Sequence, residues 1–451
     1  MGRLGRRVFG GLGRCGAGLG LGLGLGLAVT AGALGAVDLP RAEPVFAPLD
    51  RAEVELGWLL FYDPILSGNK EVACATCHHP KFGTSDGLSL GLGDGGAGLG
   101  PERRVDAANM PEQRIPRHST ALFNLGASEF TVMFHDGRLE ADPSRPAGLR
   151  TPLEDEMVMG FDSVLSAQTM FPVLSPDEMA GHYGENEIST AVRQGLLTGE
   201  GGAWDRIAQR VAGVPEYRAR FDQVIGAGAR IGFTDVSNAL AAFIAFEWRA
   251  DDSAFDRHLR GEAALEGEAL AGMELFYGAA GCAGCHSGRF QTDHGFHAIA
   301  MPQIGPGKAE RFESHARDIG RMRVTGNPED AYRFRTPSLR NVVKTAPYGH
   351  TGAYARLEDV VRHHLDPLGS LARYDISMAR LPDLPGVDDL RVLEDAGELA
   401  RIAAANELAP MPLSDAEVAA LLAFLASLSD ETALAGRLGV PEAVPSGLPL
   451  P

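Results

Sequence analysis

Basic residues are in short supply. The 451-residue chain carries 41 Lys and Arg against 59 Asp and Glu, a net charge of −18. No basic patch stands out, which argues against a nucleic-acid partner; an acidic surface instead steers basic proteins towards itself at low salt. Long apolar runs are nearly absent. The one that stands out, Ala17 to Val29, is Gly-rich and marginal as a spanning helix. It follows Arg3, Arg6, Arg7 and Arg14 in a segment without an acid, and Ala31-Gly32-Ala33 supplies a small-x-small cleavage pattern. Residues 1–36 therefore read as a secretory signal peptide in preference to an uncleaved anchor, and the location as the periplasm. Arg6-Arg7-Val8-Phe9 only faintly resembles a twin-arginine signal. Strand patterns are scarce, so the class is mainly α. Cysteine is also scarce: five in the whole chain, with Cys15 inside the signal segment.

The other four cysteines form Cys74-Ala75-Thr76-Cys77-His78 and Cys282-Ala283-Gly284-Cys285-His286. C-x-x-C-H is the attachment signature of c-type haem. Two thiols add to the porphyrin vinyl groups, and the following His supplies the proximal nitrogen to iron. The competing readings are a four-thiolate zinc site, which leaves both histidines unexplained, and disulfides. Two covalent haem c groups are expected. Their cofactor-binding residues are Cys74, Cys77, His78, Cys282, Cys285 and His286.

Each motif follows the same helical phrase, Gly57-Trp58-Leu59-Leu60-Phe61-Tyr62 and Gly272-Met273-Glu274-Leu275-Phe276-Tyr277. This internal repeat implies two tandem cytochrome c-like haem domains with long loops, at 37–250 and 251–435. In each, Gly permits a close helix crossing. The Gly-rich stretch 83–100 contains a formal G-x-G-x-x-G at 91–96, but no strand precedes it, and a flexible loop beside the first haem is expected. Two helices are expected within 186–223, one with Ile188, Val192 and Leu196 on its apolar face. Others are expected from Thr234 as N-cap to Glu247 and from Leu357 to Leu365. A last one is expected after the capping box at Ser414. The stretch 251–262 reads as a polar join, and 436–451 as a disordered tail.

The ordered set of segments resembles the bacterial di-haem cytochrome c peroxidase/MauG family, from about residue 50 to 430. It comprises both haem motifs, Phe134-x-Asp136-Gly137-Arg138, Gln168 with Glu178 ten residues on, Arg335-Thr336-Pro337-Ser338-Leu339-Arg340-Asn341-Val342, and Thr345-Ala346-Pro347-Tyr348. The resemblance implies that hydrogen peroxide reacts at the N-terminal haem, with Glu178 as acid/base and Gln168 arranging the pocket. It also implies that the C-terminal haem accepts electrons from a small cytochrome or cupredoxin. The second iron's distal ligand comes from the end of a Leu-Glu-x-x-Val-x-x-X pattern, which places His364 in a slot held by Met or Tyr elsewhere, with His363 the runner-up. His286 and His364 together give a bis-His haem of lower potential than a His/Met centre.

Two departures stand out. His135 replaces the Trp that lies between the haems, making it a relay candidate. His118 replaces an Asn that helps bind calcium; Thr345 and Pro347 retain carbonyls suited to Ca2+, so the resemblance leaves calcium open. No His follows His79 before His118, and Met110 is the one substitute ligand in that loop, so the first haem is expected open to peroxide. Three functions follow: peroxide reduction with electrons relayed from a donor protein; MauG-like oxidation of a tryptophan or other residue on a partner protein; or non-enzymatic electron carriage. The partner and the reductant are not legible, and a homodimer is left open.

Overall fold

The computed structural model describes residues 38–41, 43–308 and 315–451; the expected signal peptide lies outside them. The described chain is mainly α. Its principal helices in the first half are α1 (Arg51–Tyr62), α2 (Val164–Thr169), α3 (Glu187–Arg193), α4 (Ala203–Ala212), α5 (Pro215–Val224) and α6 (Phe233–Glu247). In the second half they are α7 (Gly267–Tyr277), α8 (Leu357–Leu365) and α9 (Asp415–Ser427). Strands are two or three residues long, such as Phe296–His297 paired with Phe334–Arg335.

The internal repeat has a structural counterpart. α1 crosses α6 at Gly57, where a Cβ would stand 1.8 Å from the Ala239 carbonyl oxygen. α7 crosses α9 at Gly272, where a Cβ would stand 1.8 Å from the Ala420 carbonyl oxygen. Only hydrogen fits at either position, so the two crossings reach the same backbone-on-backbone approach. Around the first, Leu56, Phe61, Trp204, Tyr217, Phe243 and Trp248 form one buried cluster. Around the second, Phe255, Met273, Phe276, Phe424 and Leu428 form another.

The ends of the helices follow local hydrogen bonding. Asp50 caps α1 by accepting from the Ala52 N–H. Ser414 and Glu417 form the expected capping box of α9. The N-cap of α6 lies two residues earlier than expected, at Gly232, where Asp235 accepts from the Gly232 N–H. The segment expected to hold two helices holds three, since Gly213 and Pro215 divide α4 from α5, and Leu196 is exposed.

Three loop expectations are corrected. Residues 83–100 are packed: Leu88, Leu90 and Leu92 are buried, and Arg103 donates to the carbonyls of Leu92, Gly93 and Gly98. The join at 251–262 contains a short helix, Ala254–Leu259, whose Phe255 and Asp256 are buried and whose Asp256 pairs with Arg340 at 2.6 Å. The tail is not free either. Trp58 Nε1 donates to the Gly439 carbonyl at 2.7 Å, Ser446 Oγ donates to Asp63 at 2.7 Å, and Val444 is buried. Polar composition hid these contacts because backbone groups and single side chains make them.

Candidate haem sites

The two C-x-x-C-H segments fold alike. Each forms one helical turn, Cys74–Cys77 and Cys282–Gly284, and each His N–H donates back to the first Cys carbonyl at 2.9 Å. His78 Nδ1 donates to the Thr84 carbonyl at 3.0 Å, and His286 Nδ1 donates to the Gln291 carbonyl at 3.0 Å. A carbonyl only accepts, so each ring carries its proton on Nδ1 and leaves Nε2 unprotonated and able to bind metal, the usual second contact of a ligating His; at His78 the Ser119 hydroxyl stands 3.4 Å from Nε2 while donating to the Cys77 carbonyl. The four cysteines are unpaired. Burial pushes the Cys74 and Cys77 thiols up to about 12 and Cys282 up to about 11. Among the described residues the one metal-like cluster is Cys285, Asp293 and His297, which uses a cysteine of the attachment motif. Unpaired thiols beside an imidazole whose Nε2 is unprotonated fit haem c at both places.

Opposite His286 stands His364. Their ring centres are 6.3 Å apart. A metal–imidazole bond is about 2 Å and the ring centre lies about 1 Å beyond the nitrogen, so two imidazoles on opposite faces of one iron have centres about 6 Å apart. His364 Nδ1 donates to the Val360 carbonyl, one turn back on α8, at 2.7 Å, so its Nε2 is also free. His363 is different. Its Nε2 is 2.7 Å from the Ile299 carbonyl and its Nδ1 is 2.9 Å from the Tyr354 hydroxyl, so both nitrogens are engaged. It is fully buried, and burial lowers its imidazolium to about 4.

The first site has no such partner. Among the described residues no ring contact joins a second imidazole to His78. Met110 is 48 % exposed. His118 donates from Nδ1 to the Leu88 carbonyl at 2.9 Å, with Nε2 3.5 Å from Ser85 Oγ.

Glu178 lies in a π-type turn, Pro176–Ala180, packed between two glycines. A Cβ on Gly93 would stand 2.1 Å from the Asp177 carbonyl oxygen, and one on Gly68 2.0 Å from that of Ala180. Gly68 N–H donates to the Met179 carbonyl at 2.7 Å, and Asp94 N–H donates to that of Glu178 at 3.1 Å. The Gly-rich stretch thus sets the backbone that carries Glu178. Burial raises the Glu178 carboxyl above its ordinary range, while Lys308 and Arg138 pull the other way. Glu178 in turn raises the Cys77 thiol, so the carboxyl stands near the first attachment site. Arg138 lies over the Phe134 ring at 3.6 Å and donates to Asp136 at 3.1 Å. Burial and the neighbouring Arg138 and Arg117 lower the Lys308 ammonium to about 8. Lys308 is an isolated lysine in a loop, and nothing in the sequence singles it out. Gln168 is half-buried on α2.

Where 117–138 meets 318–350, Arg117 holds Asp318 at 2.7 and 2.8 Å and Asp136 at 2.7 Å, all three buried. His135 Nε2 donates to the His118 carbonyl at 3.1 Å, and burial with nearby Arg117 keeps it neutral, well below the ordinary imidazole range. Phe334 stacks on His350, centres 3.7 Å apart. The His118 ring offers nitrogen to Leu88 and no oxygen for calcium.

A family model described as di-haem cytochrome c peroxidase matches residues 51–264. The methylamine utilization protein MauG of Methylorubrum extorquens is 31% identical over 325 residues, 71% of this chain and 71% of that protein. The chain belongs to the di-haem cytochrome c peroxidase family. The cytochrome c peroxidase Ccp of Escherichia coli is 30% identical over 322 residues, 71% of this chain and 54% of its own length. A crystal structure of a MauG-like protein associated with microbial copper homeostasis superposes with a TM-score of 0.55 at 25% identity, covering 88% of this chain and 95% of that one. The di-haem peroxidase BthA of Burkholderia thailandensis shares the fold, with a TM-score of 0.53 at 21% identity over 92% and 97% of the two chains. As a di-haem peroxidase family member the chain is a peroxide-dependent oxidoreductase. No helix among the described residues is long and apolar enough to cross a membrane.

Proposed function

We propose that hydrogen peroxide is reduced at the N-terminal haem, held by Cys74, Cys77 and His78, and that electrons arrive through a bis-His C-terminal haem held by Cys282, Cys285, His286 and His364. The asymmetry between the sites carries this reading: His286 meets a second imidazole with an unprotonated Nε2 at 6.3 Å, whereas His118, the imidazole close enough to His78 to feel its charge, makes no ring contact with it and is held by the Leu88 carbonyl. Haem iron at the open site supplies the redox chemistry that breaks the O–O bond. Glu178 takes a proton from the near oxygen of peroxide and returns it to the far one, so that the leaving group departs as water. Its burial suits a group that must do both, because a raised pKa makes the carboxylate a stronger base for the first transfer and brings its two protonation states closer to balance near neutral pH for the second. Arg138 and Lys308 place positive charge where negative charge develops on the leaving oxygen. Gln168 orients the pocket.

Electrons enter at the C-terminal attachment loop. Gly281, Gly284 and Gly288 are exposed there, whereas Ala75 and Thr76 of the first loop are buried. With a net charge of −18 the chain favours a basic donor protein in the periplasm. Oxidation of a partner-protein residue is the second reading. It is favoured by His364, because an imidazole in place of a thioether lowers the potential of the second haem and makes it a poor acceptor from a high-potential donor.

Optical and EPR spectra of the ferric holoprotein, before and after one equivalent of peroxide, test the assignment. One high-spin and one low-spin bis-His haem, with the high-spin fraction responding to peroxide, is the expected result. Two low-spin haems indifferent to peroxide would overturn it. Turnover with a reduced cytochrome or cupredoxin then separates peroxide reduction from partner oxidation.

A further inference from the structure

The eight tyrosines differ in what their hydroxyls meet. Tyr217 donates to Asp63, Tyr332 to Glu398, Tyr348 to the Val342 carbonyl and Tyr374 to the Ala353 carbonyl. Tyr354 alone among them is hydrogen bonded to an imidazole, His363 Nδ1, at 2.9 Å. The direction of that bond is fixed by the far side of the ring. His363 Nε2 stands 2.7 Å from the Ile299 carbonyl, which can only accept, so Nε2 holds the proton and Nδ1 accepts from the phenol. Both residues are buried, Tyr354 2% exposed and His363 not at all.

This pair stands in a row of rings that starts at the second haem site. His363 and His364 have centres 6.2 Å apart, and His364 faces His286 at 6.3 Å. Tyr354 lies 5.3 Å from His363, and on its other side the half-buried Tyr374 meets it edge-on at 5.5 Å. A phenol is hard to oxidise while it keeps its proton. A base already hydrogen bonded to the hydroxyl removes that obstacle, because the proton moves along an existing bond as the electron leaves.

We propose that Tyr354 and His363 are a redox-active pair serving the second haem site. Tyr354 gives one electron to that site once the peroxide reaction has oxidised it, and its phenolic proton passes to His363 Nδ1. The O–H bond breaks and an Nδ1–H bond forms. Tyrosine becomes a neutral phenoxyl radical, His363 an imidazolium, and the haem site is reduced by one electron. Peroxide is the oxidant, and Tyr354 supplies one of the two electrons needed to turn it into water. An electron from the donor or from a substrate restores the phenol, with the proton returning from Nδ1. Tyr374 is the next ring outward and gives the oxidising equivalent a way towards the surface. The proposal rests on the assignment of His364 as the iron ligand.

The test is freeze-quench EPR of the holoprotein after one equivalent of peroxide, with ring-deuterated tyrosine and 15N-histidine incorporated in parallel samples. The expected result is a radical that narrows with deuterated tyrosine and couples to an imidazole nitrogen. It is lost in Tyr354→Phe and retained in Tyr374→Phe. A radical that persists in Tyr354→Phe, or a tyrosyl radical without imidazole coupling, would overturn the proposal. So would no tyrosyl radical in a protein that consumes peroxide and displays the ferric bis-His signal; in that case the His364 assignment stands. Absence of the bis-His signal from the unsubstituted ferric protein would remove the His364 assignment itself. If Tyr354→Phe fails to take up haem, the isotope couplings in the unsubstituted protein still decide, since Tyr374 donates to a backbone carbonyl and would give no imidazole coupling.

Discussion

Arg117 grips Asp318 across 201 residues of chain, with Nε 2.7 Å from one carboxylate oxygen and Nη2 2.8 Å from the other. The same guanidinium reaches Asp136 at 2.7 Å. One buried cation thus neutralises two buried anions and ties the segment that carries His118 and His135 to the one that leads to His350. Removing one partner leaves an uncompensated charge, so Arg117→Met should cost on the order of 3–5 kcal/mol in denaturant unfolding of the holoprotein. Asp318→Asn should cost less, because an amide still accepts from the guanidinium.

The pH dependence has a definite sign. Arg117 holds the Asp318 and Asp136 carboxyls below the usual carboxylate range. A depressed carboxyl contributes stability that is present above its unfolded value of about 4 and is lost as pH falls below it. Buried His118 and His350 act earlier. Burial lowers each to about 4, so the folded protein refuses protons that the unfolded chain accepts below about 6.5. These groups should therefore make thermal stability fall in two stages as pH drops below about 7, first through the histidine range, where Asp86, raised to about 7, partly offsets the loss, and then below about 4. Asp318→Asn should flatten the second stage and leave the first.

The paired glycines give a sharper structural test. A methyl group at Gly57 or Gly272 would sit inside the carbonyl of the facing helix. Neither backbone can yield without opening a helix crossing, so Gly57→Ala and Gly272→Ala should each destabilise by about 1–3 kcal/mol or more in urea unfolding. Equal losses would show that the repeat is energetic as well as sequential.

The two glycine crossings and the matching turns of the two C-x-x-C-H segments were legible because their chemistry is local, a repeated phrase and a fixed spacing, and the proposed ligand His364 was read from a slot on one helix. What could not be read was long-range pairing. Arg117 and Asp318 carry no signal of each other, and Lys308 reaches Glu178 only after the chain folds back. The stretch 83–100 misled for a related reason. Its glycines suggest slack, but Gly93 is there so that the turn carrying Glu178 can approach the backbone. The terminal stretch 436–451 was likewise hidden, because Glu247 holds it by accepting from the backbone N–H groups of Leu438 and Gly439, which any sequence offers.

Replacing His364 by Met separates the two uses of the second haem. The imidazole Nε2 is free because Nδ1 donates to the Val360 carbonyl, and thioether sulfur reaches iron from the same helical position without that bond. His364→Met should change the ferric low-spin spectrum from bis-His to His/Met and raise the potential by an appreciable part of the about 0.8 V that axial ligation spans. Faster peroxide reduction with a high-potential donor should accompany the change. His363→Gln should leave the ligation as it is.

Glu178→Gln isolates the proton transfer from everything else at the first site. The amide is the same size, and the turn that carries it is held by backbone bonds from Gly68 and Asp94, which the substitution does not touch. Haem content and both ferric spectra should therefore be unchanged. An amide can neither take nor return a proton, so kcat should fall about 10²–10⁴-fold. Burial raises the Glu178 carboxyl above its ordinary value, so the acid limb of the pH–rate profile should lie above about 4.3, with activity lost as pH falls through it. Glu178→Asp keeps the chemistry but shortens the reach, and should recover part of the rate with the same limb. If Glu178→Gln turned over at the full rate, or lost rate equally at every pH while Glu178→Asp gave no recovery, the carboxyl would be a packing residue and the proton would move through another group, with Lys308 the nearest alternative.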